Sequence, residues 1–297
     1  MQVFSPGHKL GQIIGFALEQ SVYEMLLDIS IDYELYLDKI GPRKERGRRK
    51  KVTWVDSNGN KHDLDFVLEK GGTEEKKGSP VAFIESAWRK YTKHSVNKAG
   101  EIANSLVPLR QTFNSMKPFT GAVVAGEWTQ GGLQQMRSHG IEVLHIPSQI
   151  VFEAFRSVGI DVTGTVEDRE YFARQVETWE KLSEEEQRQV AAFVTLHCNE
   201  KFAAFDEVLR KHLSRSVASV VVSPLFGTTH TFSSVDEAAE FLSILDPKEF
   251  NFEDYSLTEI FIQLRFTNGD EIEARFGESM LAIQFLRDQI FETYPLA

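Results

Sequence analysis

The sequence predicts an α/β protein: a mixed sheet flanked by helices, then a helical linker and a small α+β domain. Three observations predict it. Over the first 160 residues, short apolar runs of strand length alternate with amphipathic stretches of helical period. Residues 166–213 are polar and helical in period, without a strand-like run. The last 80 or so residues show a ββα pattern twice. The expected domains are 1–162, 163–214 and 215–297.

The elements follow in order. Pro6 precedes a helix over about His8–Asp28, whose buried stripe is Leu18, Val22, Met25, Leu26 and Ile29. Tyr33–Leu37 reads as a strand. Val52–Val55 and Leu64–Leu68 flank Asn58-Gly59-Asn60, and Asn-Gly is a strong tight-turn signal, so a hairpin is expected. Glu69–Ser79 is a polar loop and Pro80–Glu85 a buried strand. Trp88, Tyr91, Ser95, Ala99, Ile102 and Leu106 fall on one stripe, predicting a helix from Trp88 to about Phe113 that Pro108 kinks or ends. Strands over 121–125 and 141–146 alternate with helices near 133–138 and 150–157. Ser183 and Glu186 form a capping box ahead of a long amphipathic helix. In the tail, hairpins over 219–232 and 259–276 each precede a helix with an Ala…Phe-Leu face, at 235–242 and 280–286. Its polar residues are dispersed, which points to partner binding or dimerisation rather than chemistry.

The chain has 297 residues, 41% of them hydrophobic, and a net charge of −11. That composition is of an ordinary soluble protein. No apolar run reaches bilayer length and the start lacks a signal pattern, so a cytoplasmic protein without a membrane partner is expected. The single cysteine, Cys198, excludes an internal disulfide and a cysteine-rich zinc site. Phosphate-loop, serine-hydrolase-elbow and His-Glu-x-x-His patterns are missing from the sequence. Charge is unevenly spread: residues 43–51 hold seven cations and one anion, leaving −17 on the remainder. Such a basic patch reads either as a solvated loop or as an arm for nucleic-acid phosphates.

The chemistry-bearing pair is Asp65 and Glu85, near the ends of neighbouring strand-like runs. Two carboxylates so delivered suit Mg²⁺, which takes oxygen ligands and often only one or two from protein, with Mn²⁺ able to substitute. Asp63 competes with Asp65, because i,i+2 residues of a strand share a face.

A helix with an acidic residue, a hairpin reaching Asp65, a strand ending Glu85-Ser86-Ala87 and a following helix together resemble the PD-(D/E)XK nuclease superfamily over about residues 8–160. The resemblance implies a restriction-endonuclease-like fold, with Asp65 and Glu85 as metal ligands, Ser86 offering its carbonyl, and Glu19 as the supporting acid of the first helix. It also implies Mg²⁺-dependent hydrolysis of DNA, in a restriction or anti-phage setting. The family's lysine position holds Ala87, so a lysine of the next helix must substitute, with Lys90 or Lys93 nearest in sequence. Arg43, Lys44, Arg46, Arg48, Arg49, Lys50, Arg89, Lys93, His94 and Lys98 are the expected DNA contacts. Residues 163–297 would serve a homodimer or a larger complex. The alternatives are a catalytically inactive DNA-binding or scaffold subunit, for which Ala87 argues, and a protein–protein adaptor.

Overall fold

Helix α1 (Pro6–Asp32) starts two residues before the expected span and ends four residues after it. Ser5 caps it by accepting from the His8 N–H at 3.3 Å, and Pro6 occupies the first turn, where its missing N–H costs nothing. Its apolar stripe, from Leu10 through Val22 and Leu26 to Ile29, is buried. The computed structural model describes residues 5–164, 169–225, 227–245 and 259–289, and of His94 the backbone alone. The chain forms two compact units, Met1–Thr112 with Pro118–Val208, and Phe113–Lys117 with Leu209–Ala297.

The first unit is built on a mixed five-stranded sheet. After β1 (Leu35–Lys39) the chain makes a separate hairpin of β2 (Val52–Val55) and β3 (Lys61–Leu64), then enters β4 (Phe66–Lys70) and β5 (Ser79–Arg89). The run expected as one strand over 64–68 is therefore split, and Asp65 stands at the break. Helix α2 (Ser95–Thr112), β6 (Phe119–Gly126), α3 (Gln130–Ser138), β7 (Glu142–Ile146) and α4 (Ser148–Arg156) follow. The strand order is β1-β4-β5-β6-β7, antiparallel as far as β5 and parallel from β5 to β7.

The helix expected from Trp88 begins only at Ser95. Trp88 and Arg89 instead extend β5, paired with Ala125 and Gly126 of β6, and a short 3-10 turn at Thr92–His94 intervenes. Pro108 does not end α2, which continues to Thr112; the Thr112 hydroxyl donates to the Pro108 carbonyl at 2.8 Å.

The polar helical stretch was expected to link two domains. It forms α5 (Arg169–Lys181), α6 (Glu184–His197) and α7 (Asn199–Leu213), and α5 and α6 pack on α1. The reason lies in their apolar faces: Phe172, Val176, Trp179, Val190 and Val194 are buried, and the Ser21 hydroxyl reaches the Ala191 carbonyl at 3.2 Å. The Ser183–Glu186 capping box is formed.

The second unit contains the repeated ββα pattern: β8 (Val217–Pro224), β9 (His230–Phe232), α8 (Val235–Ile244), then β10 (Ile260–Phe266), β11 (Glu271–Phe276), α9 (Ser279–Asp288). Its four strands run in the order β11-β10-β8-β9, all antiparallel neighbours. Alternate residues Val220, Val222, Ile260, Ile262 and Leu264 meet Ala238, Leu242, Ala282 and Leu286 of the two helices. Residues 113–117 join this unit through Arg215, buried, which donates to the carbonyls of Met116 (2.6 Å) and Lys117 (3.2 Å) and to Asp270 (3.0 Å). Among the described residues, no helix is long and apolar enough to cross a membrane.

Candidate active site

The pairing of β4 with β5 stops at Phe66–Ile84, and beyond that point β5 is paired only with β6. A freed backbone N–H there needs an acceptor. Asp65, at the corner between β3 and β4, supplies it: its Oδ2 accepts from the Ser86 N–H at 2.7 Å and from the Ser86 hydroxyl at 3.2 Å. This fixes Asp65 beside Glu85, which is only 8% exposed. The two carboxyl groups lie close enough for each to act on the other's proton affinity.

The electrostatics follow from crowding. Burial, then the neighbouring Asp65 charge, raises Glu85 well above the ordinary carboxylate range; Lys98 opposes this. Burial also raises Asp65, against the Ser86 hydrogen bonds, Glu85 and Lys98. Glu19, half-buried on α1, is pushed up to about 7 by burial and then by Asp65, with Lys39 pulling the other way. Three carboxyls thus compete for protons in one place, with Lys98 of α2 and Lys39 of β1 as the cations whose fields reach them.

Lys98 was expected only as a phosphate contact. It lies in the first turn of α2 and pairs with Glu101 at 3.1 Å. Spacing concealed its part, because a helix starting at Trp88 puts Lys98 three turns in rather than one. Lys90, by contrast, is not with the carboxylates. Its ammonium donates to the carbonyls of Val162 (3.0 Å) and Gly164. Lys93 is exposed on the 3-10 turn, Arg89 donates to the Trp88 carbonyl at 2.8 Å, and the His94 side chain lies outside the described residues. Ala87 is buried. Asp63 is tied to Lys51 at 2.6 Å and Thr53 at 2.6 Å on the face of the β2–β3 hairpin.

The basic run departs most from expectation. Arg43 is 2% exposed, with its guanidinium on Asp38 (2.8 Å), on both oxygens of Glu69 (2.7 and 2.9 Å) and on the carbonyls of Thr73 and Lys76. Arg46 is buried as well, on Asp38 at 2.8 Å and on the Lys39 carbonyl. Neither can reach a phosphate, because buried acids from β1 and β4 hold them. Lys44 is exposed and paired with Glu75, while Arg48, Arg49 and Lys50 are exposed and remain available to an anionic partner.

Among the described residues, no group of three or more His, Cys, Asp or Glu side chains stands in metal-holding geometry. Asp65 and Glu85 with the Ser86 carbonyl are nevertheless an all-oxygen donor set of the kind a hard divalent cation takes, completed by water. Their raised proton affinity fits that ligand, since a cation relieves the repulsion that protons now relieve. Comparison with protein-family models, curated proteins and solved structures finds no match.

Proposed function

We propose that this chain is a Mg²⁺-dependent endodeoxyribonuclease on a restriction-endonuclease-like fold. One observation carries the reading: Asp65 and Glu85 meet at an opened strand edge, within the fields of Glu19 and Lys98. The order α1, hairpin, β5, α2, β6 supports it, with β5 and β6 parallel across α2.

Asp65, Glu85 and the Ser86 carbonyl are the residues that would hold Mg²⁺, which when bound supplies a Lewis acid and a water of lowered pKa. Lys98 brings positive charge from the helix to the side of the pair that Ala87 leaves without a cation, where it can offset charge gathering on a phosphate. Glu19, with its pKa near 7, is poised to accept a proton on a carboxylate oxygen near neutral pH. Arg48, Arg49 and Lys50 offer exposed charge to the phosphate backbone.

The test is nicking of supercoiled plasmid with Mg²⁺ or Mn²⁺. Asp65→Ala and Glu85→Ala should abolish it, and Lys98→Met should lower kcat about 100-fold or more. Cleavage that persists in both carboxylate variants, or no metal-dependent cleavage by the parent protein, overturns the reading. The pairing of Lys98 with Glu101 beside a buried Ala87 favours a second reading, a DNA-binding subunit without catalysis. It predicts salt-sensitive DNA binding with no nicking.

A further inference from the structure

We infer that a cavity at the end of β5 is a nucleotide site, taking a base against aromatic walls and its phosphate on Lys90. The cavity has a volume of about 350 Å³ and lies wholly in the first unit. That is near the lower bound of about 300 Å³ for small-ligand sites, enough for one flat heterocycle but not for a duplex. Its walls include Trp88 and Tyr91 from β5 and the turn after it, and Phe172 from α5. Gly7 and Gly11, a helical turn apart on α1, bring bare backbone to it. A Cβ at Gly11 would meet nothing within 4 Å, so the helix leaves open space where any other residue would fill it.

The charges are as specific as the shape. The Lys90 ammonium lies 5.2 Å from the centre of the Phe172 ring, and of its three N–H groups two are spent on the Val162 and Gly164 carbonyls. One donor remains; among the described residues no salt bridge to Lys90 is formed, and the Asp161 carboxylate is the acid whose charge reaches it. Arg169 adds a second cation to the wall, and the first turn of α1, which carries no acid, adds its partial positive charge. Aromatic faces interleaved with cations are the means by which single-stranded nucleic acid is held, the base stacking and the phosphate neutralised. The location agrees, since ligands of open α/β sheets bind beyond the carboxyl ends of parallel strands, as here at β5.

The source of the nucleotide follows from position, and this step rests on the nuclease reading. From Glu85 the strand runs three residues to Trp88, about 10 Å at the usual rise. From Glu19, α1 runs back eight residues to Gly11, about 12 Å. Glu85 and Trp88, three residues apart on β5, face opposite sides of the sheet, so only a flexible single strand that passes round its edge could join the two places, and an unstacked base of such a strand is the expected occupant.

The experiment is a tryptophan-fluorescence titration of the full chain with the four deoxynucleoside monophosphates, inorganic phosphate and a single-stranded octanucleotide. Nucleotides should quench where phosphate alone does not, and Gly11→Leu should weaken them about tenfold or more, the loss of one stacked base. Gly15→Leu, one turn further along α1 and outside the cavity, should bind as the parent. Both substitutions replace glycine in a helix and meet open space, so folding is preserved and is checked by thermal melts. Equal affinity in Gly11→Leu and the parent, or phosphate binding as well as the nucleotides, overturns the site. Tighter binding of the octanucleotide assigns the occupant to a strand, and tighter binding of a monophosphate assigns it to a free nucleotide. The titration needs no cleavage and is repeated with Glu85→Gln. Binding without any nicking therefore sinks only the nuclease reading, and nicking without binding sinks only this one.

Discussion

Glu19 shows what the site costs the protein that carries it. Its pKa of about 7 in the fold stands against 4.5 for the free side chain. Below pH 4.5 the group is protonated whether or not the chain is folded, and it adds no penalty. As pH rises from 4.5 through 7 the unfolded chain ionises first, so the fold loses stability and remains penalised above 7. Solvent screening reduces the penalty to about 2 kcal/mol. In chelator-containing buffer, Glu19→Gln should therefore stabilise the protein at pH 8 and leave it unchanged at pH 4.5. Urea unfolding at both values checks this, and an equal gain at both would assign the effect to packing. If the proposed function holds, adding Mg²⁺ should raise the melting temperature of the parent more than that of Glu85→Gln, because a ligand held only by the folded carboxylates stabilises the fold. Asp65 and Glu85 were legible in sequence because carboxylates ending apolar runs are conspicuous. Lys98 was not, because its neighbourhood depends on where β5 stops, and that is decided by pairing with β6, where Arg89 meets Gly126.

At the level of elements, the turn carrying residues 43–46 illustrates how a charge run misleads. In sequence its arginines look solvated; in the fold two of them are the core of a loop. Arg43 and Arg46 neutralise Asp38 of β1, while Arg43 also takes Glu69 of β4 and ties down the segment after it, where the Gly78 N–H donates to Glu69 Oε2 at 2.7 Å. These partners are 5 and 26 residues from Arg43, beyond what local spacing can associate. Arg43→Met would leave two buried carboxylates short of their cation and should cost about 3–5 kcal/mol in urea unfolding. Lys50→Gln, exposed on the same segment, should stay within about 0.5 kcal/mol. Equal losses from the two would refute the structural role of Arg43. The paired hairpins of the tail and the Ser183 capping box were readable because local pattern determines them, whereas the break at Asp65 and the reach of β5 to Arg89 depend on pairing. The lasting surprise among the elements is α5 and α6, read as a polar helical linker and yet docked on α1.

Across the whole molecule, the chain belongs to two units without dividing at a single point. Residues 113–117 lie in the middle of the first unit's sequence yet fold with 209–297. Arg215 holds their carbonyls, and Lys117 reaches Asp270 at 3.1 Å and the Glu271 carbonyl at 3.2 Å. His212 Nε2 donates to the Lys117 carbonyl as well, at 3.0 Å, and burial followed by Arg215 drives its pKa down to about 4. A chain ending at residue 208 would retain the five-residue segment but none of the groups that bind it. Truncation and reassembly are thus linked. The fragments 1–208 and 209–297, made separately, should find each other through residues 113–117, detected as co-purification that Arg215→Met weakens. No co-purification, or co-purification indifferent to Arg215, would show that the segment does not govern their meeting. A protein cut at this point would carry its own recognition peptide, and the fold thereby provides a ready split-protein pair.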